Sequence, residues 1–323
     1  MNIVINGCGQ VARALLHHWM GLKEAPKILL LRNSTHQLSD DRGLNEKFLT
    51  KYLENPQPFT QPLQSMEKIL QKPIDMWFEL TPTDLKTAKK IHSDISKVLD
   101  RGIPVVFANK APLLYDYISL KELADARNVH LGLSGVLGAS LPSYALGHYG
   151  TMGAQVLSME GILNGTSNFI LEKMEEGVCL EEALAIAQEL GIAENNWAYD
   201  VDGFDSAIKM SLLASVILNK NMGFENKNIQ GIRDLSLEKI QSLKSQGKKI
   251  KLVSSFEKDI VRVAPRIYEM KDLFYHVQGS DKALRINTDK LSDMTLIGGK
   301  SGLNEVAASL HRDLLWIKEL TGV

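Results

Sequence analysis

The sequence predicts an α/β protein with a parallel, doubly wound sheet in its N-terminal part and an α+β domain after it. Short apolar runs alternate with helical stretches as far as about Gly135, which is typical of a parallel sheet covered by helices. A block rich in Gly, Ser and Pro then spans residues 132–150 and indicates a domain boundary. With 323 residues, the chain is long enough for two domains, each with its own core.

The N-terminal part opens on a strand, a glycine turn and a helix. Its predicted elements, in order, are strand 2–6, helix 11–20, strand 27–31, strand 76–80, helix 84–99 and strand 105–108. The polar stretch 39–72 interrupts this alternation, so we expect it to form helices and loops outside the sheet.

The second part is expected to pack helices on one antiparallel sheet. Its predicted elements are strand 156–162, helices 168–176, 180–191 and 204–219, and strands 250–256 and 260–267. Residues 302–317 are predicted to form a last helix that returns to the first domain.

Composition excludes several classes of function. Lys and Arg total 37 against 38 Asp and Glu, and this balance argues against a nucleic-acid-binding protein. The cysteines, Cys8 and Cys179, have no zinc-site spacing and indicate a reducing compartment. No secretory leader or membrane-length apolar run is present, so we expect a cytoplasmic protein that does not contact a membrane.

The first strand ends in a glycine turn of the form G-x-G-x-x-A. Gly7 and Gly9 let the backbone approach a pyrophosphate, and the helix that begins at Gln10 and Val11 directs free N–H groups at it. The turn opens a strand–helix–strand unit, and this context favours a dinucleotide-binding site over an ordinary glycine-rich turn.

The end of the second strand bears on the choice between NAD and NADP. An acid at this place binds the adenosine ribose of NAD, but here Leu31 is followed by Arg32, Asn33 and Ser34. Arg32 therefore favours the 2′-phosphate of NADP, and an ordinary surface arginine is the alternative.

A lysine lies at the end of an acidic segment in the second part. Asp205 and Lys209 are four residues apart, on one face of a predicted helix, and Asp200 lies shortly before them. A lysine held among carboxylates can donate a proton to a developing alkoxide, and spare carboxylates can hold a substrate ammonium. A surface ion pair with no catalytic role has the same spacing, so both interpretations stay open.

Several motifs of the chain resemble those of homoserine dehydrogenase. The most specific is Gly161-Ile162-Leu163-Asn164-Gly165-Thr166-Ser167-Asn168-Phe169, followed by Asp200-Val201-Asp202-Gly203-Phe204-Asp205 and Lys209. Shorter motifs at 79–82, 108–110, 249–252 and 298–302 occur in the family's order, so the resemblance covers almost the whole chain.

The resemblance implies a homodimeric enzyme that reversibly reduces L-aspartate 4-semialdehyde to L-homoserine with NADPH or NADH, in threonine and methionine biosynthesis. It implies a Rossmann domain over 1–134, completed by 298–323, and a dimerisation and substrate-binding domain over 135–297. Regulation by threonine through a dedicated domain is not expected.

The resemblance also implies a role for individual residues. The catalytic residues would be Lys209, Lys110 and Asp205. The substrate would contact Glu194, Asp200, Thr166 and Gly165. The cofactor would contact Gly7, Gly9, Gln10, Val11, Arg32, Thr81, Asn109, Lys110 and Gly302. A monovalent cation, Na⁺ or K⁺, would be bound by the backbone carbonyls of Leu137, Ala139 and Leu141.

The chain departs from the family at two positions. Ser134 replaces the glutamate usual at the start of the cation loop, and Ile192 replaces an aromatic residue on the substrate side.

Two rival functions are considered beside this one. One rival is the dehydrogenase that makes the same semialdehyde from an acyl phosphate, which needs a cysteine nucleophile. The other is a catalytically silent NAD(P)-binding regulatory protein.

Overall fold

A computed structural model describes residues 1–20, 22–55, 59–193 and 197–322. The strands are β1 (Asn2–Asn6), β2 (Lys27–Arg32), β3 (His36–Ser39), β4 (Gln61–Pro62), β5 (Met76–Glu79), β6 (Val105–Phe107), β7 (Leu131–Gly132), β8 (Val156–Ile162), β9 (Lys248–Glu257), β10 (Ile260–Glu269), β11 (Lys282–Thr288) and β12 (Asp293–Gly298). The helices are α1 (Gln10–Met20), α2 (Glu46–Glu54), α3 (Met66–Ile69), α4 (Ala88–Asp100), α5 (Ala111–Ala126), α6 (Ser143–His148), α7 (Gly165–Glu175), α8 (Leu180–Glu189), α9 (Ala198–Val201), α10 (Phe204–Leu218), α11 (Leu237–Ser245) and α12 (Leu303–Thr321).

The first compact unit consists of Met1–Val136 and Leu303–Val323. Its sheet has the strand order β4-β3-β2-β1-β5-β6-β7, and the pairs from β2 through β1, β5 and β6 to β7 are parallel. Because β1 lies in the middle and the chain winds to both sides of it, the predicted doubly wound sheet is confirmed.

The central strands of this sheet carry apolar residues on both faces, and these residues form the core against the helices. Ile3, Val4 and Ile5 of β1 are fully buried, as a parallel strand covered by helices on both faces requires. On α1 the buried residues recur at helical spacing, and Trp19 packs edge-on against Phe78 with ring centroids 5.2 Å apart. This packing holds the C-terminal end of α1 against β5 of the sheet.

The expectation that the polar stretch 39–72 lies wholly outside the sheet was wrong at Ser39 and at Gln61–Pro62. Ser39 belongs to β3, which pairs antiparallel with β2, and β4 pairs antiparallel with β3. The Gln61 side chain accepts a hydrogen bond from the Ser39 N–H at 2.9 Å. Edge strands are commonly polar, so the sequence lacks the apolar run that identifies a central strand.

The second compact unit is Leu137–Gly302. Its sheet is antiparallel throughout, with the strand order β10-β9-β8-β11-β12. Helices α7, α10 and α11 pack against β9, which confirms the predicted arrangement of helices on one antiparallel sheet. In the described part of the chain, no helix combines the length and apolar character that crossing a membrane requires.

Candidate active site

The glycine turn after β1 has the form of a dinucleotide cradle. Gly7 has φ +107°, and a Cβ added to it would lie 2.4 Å from the Leu80 carbonyl carbon, so only glycine fits. A Cβ added to Gly9 would meet nothing within 4 Å. Gln10 starts α1 immediately afterwards, and the first N–H groups of a helix lack intrahelical acceptors. Open room beside these donors suits a pyrophosphate.

A buried carboxyl group links two of the expected cofactor contacts. Glu79, at the end of β5, accepts hydrogen bonds from Asn6 Nδ2 at 2.7 Å and from the Thr81 hydroxyl. Asn109 Nδ2 in turn donates to Thr81 Oγ1 at 2.8 Å. Burial raises the pKa of Glu79. No role for Glu79 was predicted from the sequence, although an acid within the apolar run Met76–Leu80 is an unusual and usable signal.

Arg32 lies at the carboxyl end of β2, where the sequence places the adenosine ribose. Its Nη1 is 3.6 Å from Met66 Sδ, and burial lowers the pKa of its guanidinium. Within the described residues, its buried Nε has no hydrogen-bond acceptor. An unmatched buried N–H on a cationic group suits an anionic ligand, so the donor set fits a phosphate.

Lys110 follows the end of β6 and directly precedes α5. Its backbone N–H donates to Thr83 Oγ1 at 3.1 Å, and the neighbouring Asn109 Oδ1 accepts from the Ala111 N–H at 2.8 Å. These two hydrogen bonds fix the backbone on either side of the Lys110 side chain.

On the second unit, Lys209 is held between a carboxylate and a carbonyl. Its Nζ lies 2.5 Å from Asp205 Oδ2 and donates to the Leu163 carbonyl oxygen at 3.0 Å. The Lys209 and Asp205 side chains are 17% and 16% exposed, less than an ordinary surface ion pair. An ammonium has three N–H donors, and these two acceptors take two of them.

Asn164 joins the two aspartates that the sequence singled out. Its Nδ2 donates to Asp200 Oδ1 at 2.5 Å and to Asp205 Oδ2 at 2.9 Å. Its Oδ1 accepts from the Ser167 N–H at 2.8 Å and so caps α7. Asp200, Asp205 and Lys209 therefore form one cluster around a buried amide. Asn164 was missed as a site residue, although it lies in the most specific motif.

Gly165 and Thr166 form the first turn of α7 next to this cluster. A Cβ added to Gly165 would lie 2.4 Å from the Ser280 carbonyl oxygen, so the close approach requires glycine. The Thr166 hydroxyl donates to the Ile192 carbonyl oxygen at 3.0 Å. Ile192 thus contributes its backbone carbonyl to the first turn of α7.

A buried lysine supports α7 from the sheet side. Lys251 Nζ donates to Asn168 Oδ1 at 2.9 Å and to the Val277 carbonyl oxygen at 2.7 Å. Burial lowers the pKa of Lys251 to about 8. Lys251 therefore ties α7 to the carbonyl oxygen of Val277, and no role was predicted for it from the sequence.

The remaining expected site residues are placed as follows. Glu194 lies outside the described residues. Gly302 directly precedes α12. Leu137, Ala139 and Leu141 lie in a loop before α6, where the Leu141 carbonyl oxygen accepts from the Ser143 N–H at 2.7 Å. Among the described residues, no group of three or more His, Cys, Asp and Glu side chains is arranged to hold a metal ion.

Neither cysteine is placed as the nucleophile of the acyl-phosphate rival. Burial raises the pKa of the Cys8 thiol, whereas an activated thiolate needs a lowered pKa. Cys179 is exposed at the start of α8. The structure therefore offers this rival no activated thiol among the described residues.

Comparisons with known proteins identify one family. The homoserine dehydrogenase profile matches residues 143–315. Homoserine dehydrogenase of Methanocaldococcus jannaschii is 29% identical, covering 99% of this chain and 99% of the relative. That of Sulfurisphaera tokodaii is 31% identical over 82% of this chain and 85% of the relative.

A solved structure agrees with these sequence comparisons. The crystal structure of a candidate homoserine dehydrogenase from Archaeoglobus fulgidus superposes with a TM-score of 0.84 at 26% identity, covering 98% of this chain and 99% of that one. The profile match covers more than half of the chain. Together with the glycine turn and the Asp205–Lys209 cluster, these matches show that the chain belongs to the homoserine dehydrogenase family of NAD(P)-dependent oxidoreductases.

Proposed function

We propose that this chain reversibly reduces L-aspartate 4-semialdehyde to L-homoserine, with Lys209 as the proton donor. The observation that carries this proposal is the half-buried Lys209 ammonium, fixed by Asp205 and the Leu163 carbonyl. Two of its N–H groups are engaged, and we assign the third to the carbonyl oxygen of the substrate. Steady-state turnover of the Lys209→Ala variant tests this assignment.

Held at the glycine turn, a nicotinamide cofactor would supply the hydride that adds to the aldehyde carbon. Negative charge then develops on the aldehyde oxygen, and the Lys209 Nζ–H stabilises it and donates the proton. Asp205 holds Nζ in place. In the oxidation of homoserine, Lys209 accepts the proton of the hydroxyl.

The amino-acid part of the substrate carries its own ammonium and carboxylate. We assign its ammonium to Asp200 and Glu194 and its carboxylate to the N–H groups of Gly165 and Thr166. These N–H groups belong to the first turn of α7, and the Asn164 side chain caps the N–H of Ser167 instead. Lys110 is proposed as the second lysine of proton transfer.

The cofactor is proposed to bind to residues of 1–134 and 298–323, and the substrate to residues of 135–297. Gly7, Gly9, Gln10 and Val11 would hold the pyrophosphate. Thr81, Asn109, Lys110 and Gly302 would contact the remainder of the nucleotide. The buried Glu79 network fixes Thr81 and Asn109 in place before the cofactor binds.

We expect tighter binding of NADPH than of NADH because Arg32 has an unmatched buried N–H at the place of the adenosine ribose. A related enzyme of Pseudomonas canavaninivorans is NAD⁺-dependent, and a hyperthermophilic archaeal homoserine dehydrogenase was solved in complex with NADPH. Arg32→Asp should weaken NADPH binding about tenfold or more while NADH binding holds or improves. Fluorescence titration measures both constants, and tighter NADH binding by the unmodified chain contradicts this expectation.

We also propose a cytoplasmic homodimer formed through the antiparallel sheet. Long helices pack against one face of this sheet, and strand register places Ile260, Arg262 and Ile297 on the other face, where all three are exposed. Sedimentation velocity should give about twice the chain mass of 35.9 kDa. A mass equal to one chain at every concentration excludes the dimer.

A further inference from the structure

A buried lysine lies in the loop for which the family resemblance implies a monovalent cation. Lys282, the first residue of β11, is 3% exposed. Its Nζ lies 3.1 Å from the Gly138 carbonyl oxygen and 3.3 Å from the Lys300 carbonyl oxygen. Lysine is among the residues least often fully buried, and it is found so where its charge has partners. Peptide carbonyl oxygens are also ligands of alkali and other hard cations.

The two carbonyl groups belong to segments that pack tightly together. Gly138 has φ +118°, and a Cβ added to Gly299 would lie 2.5 Å from the Leu141 backbone nitrogen. Ser140 Oγ donates to the Lys300 carbonyl oxygen at 2.8 Å. The Lys300 carbonyl therefore accepts from both Ser140 and Lys282. The ammonium bridges the loop that begins at residue 137 and the segment that follows β12.

The implied ligands of a metal ion fit poorly beside this ammonium. Ser134 supplies no carboxylate, and its backbone N–H donates to Asp313 Oδ2 at 2.8 Å. The Leu141 carbonyl oxygen accepts the Ser143 N–H. Gly138, whose carbonyl accepts from Lys282, lies between Leu137 and Ala139 in the chain. A metal ion bound to the carbonyls of Leu137 and Ala139 would therefore lie near the buried, positively charged Lys282 ammonium, which would repel it. A loop that already holds one fixed cation, and has serine where the family has glutamate, disfavours a second cation.

We propose that the Lys282 ammonium takes the place of the monovalent cation, so that this chain needs no alkali metal ion for stability or turnover. The proposal concerns how the loop is built and does not depend on the identity of the substrate. A tethered ammonium makes the same electrostatic contacts with carbonyl oxygens as a bound ion, and it cannot dissociate. Because it is tethered to the chain, the ammonium stays at the loop without the carboxylate that Ser134 does not supply.

The test compares the full chain in choline chloride with the same chain in NaCl or KCl at equal ionic strength. The melting temperature and kcat of the unmodified chain should be the same in all three salts. A higher melting temperature or kcat in NaCl or KCl than in choline chloride overturns the proposal. The melting temperature is measured by circular dichroism, so this part of the test remains informative even if the chain shows no turnover.

Substitutions of Lys282 test whether its ammonium occupies the place of a cation. Lys282→Ala should lower the melting temperature by about 5 °C in choline chloride and regain most of it in KCl or NaCl, which can occupy the vacated site. Lys282→Met, which fills the space with a neutral chain, should be destabilised alike in every salt. The matched control is Lys251→Ala, a second buried lysine on a carbonyl oxygen, which should show no salt-specific recovery.

If Lys282→Ala loses the same stability in all salts as Lys251→Ala does, Lys282 is an ordinary buried lysine and the proposal is wrong. If Lys282→Ala does not fold, Lys282→Asn, which keeps N–H donors but has no charge, replaces it. Its melting temperature is then compared in the same salts. A chain with salt-independent stability but no turnover would support the proposal for Lys282 and count against the proposed reaction.

Discussion

Lys209→Ala is expected to lower kcat about 10²–10⁴-fold, the usual contribution of a positioned acid–base group. The reason is that no other N–H donor of the described cluster combines a charge with the position between Asp205 and Leu163. Binding of NADPH, measured by fluorescence titration, should change little, because the glycine turn belongs to the other compact unit. An ion pair without a role in turnover predicts instead a stability loss of about 0.5 kcal/mol and unchanged kcat.

A matched control for Lys209 lies on α5. Lys121 and Asp125 form an ion pair with the same i,i+4 spacing, and their side chains are 36% and 60% exposed. Lys121→Ala removes this pair without touching the proposed site, so kcat should stay at the unmodified value. Asp205→Asn should also lower kcat, and the double variant should be far less impaired than the product of the two single effects. Multiplicative effects would mean that Asp205 does not act through Lys209.

Gly9→Ala is expected to weaken NADPH binding about 10–100-fold while the melting temperature stays near that of the unmodified chain. In the structure an added Cβ at Gly9 meets nothing within 4 Å, so the fold tolerates it. The methyl group would instead occupy the room beside the N–H groups of α1, where the backbone must approach the pyrophosphate. Fluorescence titration and thermal melting measure the two quantities separately.

Gly7→Ala is the companion variant and should behave differently. Its φ of +107° and the 2.4 Å approach to the Leu80 carbonyl carbon mean that the turn itself cannot accept a side chain. We expect a lower melting temperature in addition to weak binding. Unchanged NADPH affinity in Gly9→Ala would show that the pyrophosphate does not lie against this turn.

The parallel sheet could be predicted because its strands are buried on both faces and so read as continuous apolar runs. Ile3 to Ile5 and Val105 to Phe107 are examples, and the observed strands fall on them. Strands β11 and β12 were not predicted. Lys282 and Arg285 lie within β11, and the partners that compensate their charges, Gly138 and Glu160, are distant in the sequence.

The candidate site could be predicted only in part, because it too depends on contacts between residues that are distant in the sequence. The spacing of Asp205 and Lys209 predicts an ion pair, but the burial that distinguishes it from a surface pair depends on long-range packing. Asn164 contacts Asp200 and Asp205 across more than thirty residues of chain. Local sequence patterns do not predict contacts between residues so far apart in the chain. The family resemblance, in contrast, identified the segments that make these contacts.

The most direct test of the account is an assay of NADPH oxidation by the full chain with L-aspartate 4-semialdehyde. We predict saturable oxidation with L-homoserine as the product, and the reverse reaction with L-homoserine and NADP⁺. This turnover should be lost in Lys209→Ala and retained in Lys121→Ala. Tight NADPH binding without any semialdehyde-dependent oxidation would contradict the account and favour a catalytically silent NAD(P)-binding protein.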